Sequence, residues 1–145
     1  MREIFFRGRC VNTGNWIYGC SIILHKKQSK IFDIEEDCWF EVEEETIGQF
    51  TGLIDKNGTK IFEDDILGLC AKDLGIYEGD IIPAIVKIGE YDCELNNCRG
   101  VGVFIDFGEN SPIRYQLLYS ENGKVSDMWV IGNIHDNPKL LEVTK

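Results

Sequence analysis

Apolar and polar residues alternate along much of this chain, and the alternation stops where glycine and asparagine cluster. The stretch 113–119 is the plainest case: Ile113, Tyr115, Leu117 and Tyr119 alternate with Arg114, Gln116 and Leu118. A period of two puts the two sets on opposite faces of a strand, so this stretch predicts a half-buried strand. The same reading predicts strands over 3–11, 16–24, 31–34, 38–42, 83–91, 101–107 and 128–134. Pro83 suits the start of its strand or an edge, because proline cannot donate to a ladder. Between these stretches lie a turn at 12–15, a basic loop at 25–30 and a polar loop at 91–100. The acidic run 41–45 opens a short helical turn, and Asn137-Pro138 opens another, with proline suited to a first helical position.

The strongest local signal is a hairpin over residues 46–67. Its turn is Asp55-Lys56-Asn57-Gly58, and a second Asn-Gly turn stands at 121–124. Asparagine and glycine tolerate left-handed backbone, so the first turn is either type I′ or type I with a glycine bulge. Asp55 is placed to cap it by accepting backbone N–H bonds. Gly48 and Gly52 interrupt the incoming arm, which predicts a bulge or the close approach of another backbone. The run Ile61-Phe62-Glu63-Asp64-Asp65-Ile66-Leu67 is echoed by Ile76-Tyr77-Glu78-Gly79-Asp80-Ile81-Ile82. Seven residues are too few for a repeat architecture, so the echo reads as recurring turn chemistry.

Composition agrees with a mainly β chain. Among 145 residues the only alanines are Ala71 and Ala84, and aromatics reach 11%. That is poor helix material and good strand material. The length predicts one domain over 1–145, with 1–45 and 46–145 as its subdomains. The formal charge of −10 disfavours nucleic acid and anionic membranes as partners. The start of the chain has no apolar run of signal-peptide type, and no apolar run is long enough for a membrane-spanning helix. The six cysteines are therefore read as reduced, in a cytoplasmic chain.

The chemical candidates each meet a simpler explanation. Setting Gly58 as the invariant glycine of a calcium loop puts Leu53 at its first ligand position and Asp64 at its twelfth, and leucine cannot coordinate. Cys93 and Cys98 could open a zinc site with His25 and His135, but no second close-set ligand pair exists. No nucleophile elbow, P-loop or dinucleotide fingerprint occurs. The carboxylates at 63–65, 78 and 80 could form an acid/base pair, although charged turns are ordinarily solvated. Trp16, Trp39 and Trp129 read as core or interface anchors. No catalytic, cofactor-binding or metal-binding residue is predicted.

The centre and both ends of the chain resemble a known family, most specifically over about residues 46–67 and 129–141. Ile47-Gly48-Gln49-Phe50-Thr51-Gly52-Leu53-Ile54-Asp55-Lys56-Asn57-Gly58, followed by Ile61-Phe62-Glu63 and Asp65-Ile66, is similar to the signature of the YopX-like proteins of bacteriophages and prophages. Met1-Arg2-Glu3-Ile4, Phe6-Arg7 and Tyr18-Gly19 resemble that family's opening. Val130-Ile131-Gly132-Asn133-Ile134, Asn137-Pro138 and Leu140-Leu141 resemble its ending. Asp64 stands where the family usually has glycine. The resemblance implies a β-rich protein of phages and prophages of Gram-positive hosts, and it carries over no catalytic residue. The combined expectation is a small β-barrel-like protein with several antiparallel hairpins and little helix. In function it is a non-enzymatic phage accessory protein. It would act as a homo-oligomer in the bacterial host cytoplasm, through contacts with a host or phage protein. Two rivals are an acidic nucleic-acid mimic that blocks a host DNA-binding protein, and a carboxylate-based hydrolase.

Overall fold

The structure is a computed structural model that describes residues 3–70, 72, 80–93, 98–109, 111, 114–118, 120 and 122–142, without the side chains of Cys93 and Cys98. It is mainly β. Twelve strands are named in chain order: β1 Phe6–Arg9, β2 Trp16–Gly19, β3 Ser21–Ile23, β4 Ser29–Asp33, β5 Cys38–Val42, β6 Gly48–Ile54, β7 Lys60–Phe62, β8 Asp65–Cys70, β9 Ile81–Cys93, β10 Cys98–Asp106, β11 Tyr115–Leu117 and β12 Met128–Asn133. Two 3-10 turns, Glu44–Thr46 and Pro138–Leu141, lie at the positions the acidic run and Asn137-Pro138 predict. The strands form three open sheets with antiparallel pairings, and no closed barrel is present among the described residues. No helix among them is long and apolar enough to cross a membrane.

The chain divides into two compact units, Met1–Gly52 and Leu53–Lys145. In the first, β2, β1 and β6 are neighbours in one sheet, and β3, β4 and β5 form another. The expected strand over 16–24 is broken at Cys20, so that β2 and β3 belong to different sheets. Gly19 sits at this break because a Cβ there would collide with the Phe32 carbonyl of β4. The core between the sheets contains Cys10, Ile17, Ile31 and Val42. Thr46 is buried and ties the edges: its Oγ1 accepts the Arg9 N–H at 2.8 Å and donates to the Glu43 carbonyl at 2.7 Å.

The second unit holds a five-stranded sheet in the order β11-β10-β9-β8-β12. Its core is Ile61, Leu67, Leu69, Ala84, Val86, Ile105, Val125 and Met128. The outgoing arm of the hairpin is not one strand. It breaks at Glu63–Asp64 into β7, which follows β6, and β8, which joins the five-stranded sheet. Asp64 makes the break with a φ of 65°, the conformation glycine would take at no cost. Pro83 lies third in a central strand, not at its start. The Val86 carbonyl accepts from Asp64 on the β8 side, so even positions of β9 face β8 and odd ones face β10. β10 ends at Asp106, opposite Ile85, so the missing N–H of Pro83 lies beyond the ladder with β10.

Candidate functional site

The Asp55 turn resolves to a type I turn with a glycine bulge. Gly58 has a φ of 86°, Asn57 stays out of the left-handed region, and the Gly58 N–H donates to the Asp55 carbonyl at 3.0 Å. Asp55 caps as expected: its Oδ1 accepts from the N–H groups of Asn57 and Thr59, both at 2.8 Å. Its Oδ2 is also used, accepting the Val130 N–H of β12 at 2.9 Å. The side chain is 1% exposed, and three backbone donors supply its solvation. That third bond joins the two stretches that carry the family resemblance. The Asn122-Gly123 turn has positive φ at both residues, 54° and 79°, as a type I′ turn requires. Gly52 has a φ of 84°, which accounts for glycine there, while Gly48 pairs with Arg7 in the β1–β6 ladder.

The suggested carboxylates have separate duties. Asp65 is buried, and its Oδ2 accepts the Phe62 N–H at 2.8 Å, so it closes the β7–β8 turn. Asp64 points elsewhere, with Lys87 Nζ at 3.1 Å from Oδ1 and His135 Nε2 at 3.7 Å from Oδ2. Asn133 holds the His135 segment: its Oδ1 accepts from the His135 and Asp136 N–H groups at 3.0 and 2.9 Å. Gly132 makes room for Asn137, whose Oδ1 accepts the Asn133 N–H at 3.3 Å. This arrangement fastens the β7–β8 turn to β9 and to the segment after β12. Asp80 is exposed and Glu78 lies outside the described residues.

The other singled-out residues are dispersed. His25 is exposed in the β3–β4 loop. Cys10 is a core residue of the first unit, and a hydrogen bond with the Thr13 side chain holds its thiol below the ordinary value. The side chains of Cys93 and Cys98, on which the zinc reading rests, lie outside the described residues. Among the described residues no group of three or more His, Cys, Asp or Glu is arranged to hold a metal ion. Trp16 carries the Arg7 guanidinium 4.9 Å from its ring centroid, and Trp129 carries Lys56 Nζ at 3.9 Å. Trp39 packs edge-on against Phe32 at 5.3 Å and remains 44% exposed.

Alternation alone does not reveal one concave feature of the second unit. β8 accompanies β9 through Ile85, and β11 accompanies β10 from Phe104 to Asp106. Beyond those rungs, residues 87–93 and 98–102 continue as a two-stranded ribbon with no further strand beside it among the described residues. An open groove of about 610 Å³ lies along this ribbon. Three aromatic rings line it: the Phe104 centroid is 5.8 Å from Tyr91 and 5.5 Å from Tyr115, the latter edge-on. Glycine shapes the floor, because a Cβ on Gly100 would come within 2.8 Å of the Tyr91 hydroxyl. Glu90 and the Asp92–Arg99 ion pair, at 2.9 Å, form a polar rim, and Val101 is 78% exposed beside it. The groove thus combines an aromatic floor with a polar rim. Tyr91 and Tyr115 stand 24 positions apart, so only the β9–β10–β11 register brings them together.

Among curated proteins no match to the chain is found. The family model described as YopX protein matches residues 6–142, and with the two signature stretches bonded to each other through Asp55 and Val130, the chain belongs to the YopX family.

Proposed function

We propose that this chain is a non-enzymatic phage or prophage accessory protein, a binding module that acts through protein–protein contacts in the host cytoplasm and assembles as a homo-oligomer. The observation that carries the binding reading is the aromatic groove along the β9–β10 ribbon. Aromatic side chains in an open, shape-bearing groove are the anchors protein interfaces favour. The polar clusters of the second unit support the same reading, since Asp55 and Asp65 bind backbone donors of their own chain.

The test is affinity capture from host lysate with mass-spectrometric identification, comparing the wild type with a Tyr91→Ala/Tyr115→Ala variant. Circular dichroism confirms that the variant is folded. The expected result is a defined protein captured by the wild type and lost from the folded variant. Equal capture by both would remove the groove from the reading. Turnover in a broad hydrolase screen, abolished by Asp64→Asn, would favour the carboxylate reading instead. Sedimentation at several concentrations tests the oligomer, and a strict monomer would overturn that part.

A further inference from the structure

We propose that the outer face of the β3–β4–β5 sheet is a self-association surface, on which a second copy of this chain packs with its strands reversed; the proposal rests on the homo-oligomer reading above. The face follows from register. Ile22, Ile31 and Phe40 share one rung and turn inward to the core of the first unit. The flanking rungs, Ser21–Phe32–Trp39 and Ile23–Lys30–Glu41, therefore turn outward. Trp39 packs edge-on against Phe32, yet Trp39 and Ile23 remain 44% and 47% exposed. Leu24 after β3 and Ile34 after β4 are exposed as well. An aromatic and aliphatic face open to water, with tryptophan among its residues, has the composition of an interface. Lys30 and Glu41 offset each other, so the two outer rungs add no net charge.

Charge selects the occupant. The three strands form a meander, so its two connections lie at opposite ends of the sheet. The β3–β4 loop carries Lys26 and Lys27, both exposed. The β4–β5 turn carries Glu35, Glu36 and Asp37, also exposed. Asp33 builds that turn: its Oδ1 accepts the Glu35 and Glu36 N–H groups at 2.9 and 3.2 Å. Beyond β5 the chain turns to β1, where Glu43 is ion-paired to Arg9 at 2.8 Å. A face with one cationic and one anionic end is complementary to itself turned end over end. Two copies packed face to face about a two-fold axis have two choices. An axis along the strands lays loop on loop and turn on turn, like charge on like. An axis across the strands lays Lys26 and Lys27 against Glu35 and Glu36 of the partner subunit, and symmetry makes that contact twice. With a net charge of −10 on each copy, only a contact that sets opposite charges together overcomes the general repulsion. Three short strands make a small contact, of the weak class that buries under about 1,200 Å² in total.

Sedimentation of the full chain at concentrations up to about 1 mM, where weak contacts fill, tests the proposal. The wild type is compared with Lys26→Glu/Lys27→Glu, Glu35→Lys/Glu36→Lys, an equimolar mixture of those two, and Trp39→Ser. Circular dichroism confirms that each variant is folded. Each variant alone should associate at least about tenfold more weakly, so that the wild-type assembly falls to half its mass. The equimolar mixture should recover the wild-type mass, because acid then meets base at both ends. A wild type that stays monomeric overturns this contact and the homo-oligomer reading together. So does a monomer that captures a host protein and loses it on Trp39→Ser, which gives the face to that protein. An assembly that persists in the folded variants, or a mixture that does not recover it, overturns this contact alone and leaves the homo-oligomer reading standing.

Discussion

The Asp55 carboxylate accepts the Val130 N–H at 2.9 Å, across 75 residues of chain. The same carboxylate closes its own turn through Asn57 and Thr59. One buried side chain thus fixes both the geometry of the turn and its position on β12. Replacing it leaves three backbone donors without their acceptor, two of them on the exposed turn residues Asn57 and Thr59. Asp55→Ala should cost about 3–5 kcal/mol, since bonds to a charged acceptor are worth about 1.5–3 kcal/mol each and overlap here. Asp55→Asn should cost less, because the amide oxygen still serves the turn while its NH₂ faces Val130. Urea unfolding of the two variants checks the order.

Asp64 adopts the backbone of a glycine, with a φ of 65°. Its Lys87 partner is 36% exposed, and an ion pair of that kind contributes about 0–1 kcal/mol. Relief of the left-handed strain offsets that loss. Asp64→Gly should stay within about 1 kcal/mol of wild type, whereas Asp64→Val, which cannot take the conformation comfortably, should lose about 2 kcal/mol. Thermal melts of the two variants distinguish a turn-forming role for Asp64 from a dependence on its charge.

Gly19 and Gly14 are required for different reasons. A Cβ at Gly19 meets the Phe32 carbonyl, whereas one at Gly14 meets nothing within 4 Å but sits at a φ of 74°. Gly14→Ala should cost about 1–2 kcal/mol, the ordinary penalty for left-handed backbone. Gly19→Ala should cost about 3 kcal/mol or more, because a carbonyl in a sheet cannot step aside. Chemical unfolding followed by Trp16 and Trp39 fluorescence would report both.

Salt separates the proposed groove from the nucleic-acid-mimic rival. Stacking at Tyr91, Phe104 and Tyr115 is short-range, whereas a mimic depends on the net charge of −10. Raising salt from about 0.1 M to about 1 M shortens the Debye length from about 10 Å to about 3 Å. Capture of the partner should be nearly unchanged over this range. A steep loss would favour the mimic.

The amino-acid sequence by itself determined where this chain turns and which stretches are extended. Those properties are local: Gly14, Gly58 and the Asn122-Gly123 pair take left-handed backbone because little else can, and alternation marks a strand whatever lies beside it. The cap at Asp55 was legible for the same reason, since Asn57 and Thr59 are its near neighbours. Tertiary structure decided which strands pair. The run 16–24 divides at Cys20 into strands of two sheets, with glycine at 19 where a Cβ would meet Phe32, and the hairpin's outgoing arm divides at Asp64 to serve two sheets. The groove depends on a register that brings Tyr91, Phe104 and Tyr115 into contact, and the bond from Asp55 to Val130 depends on the packing of β12. A strand's own residues fix which way its side chains alternate. Its neighbour is chosen by chain segments far away in sequence, and no local pattern records that choice.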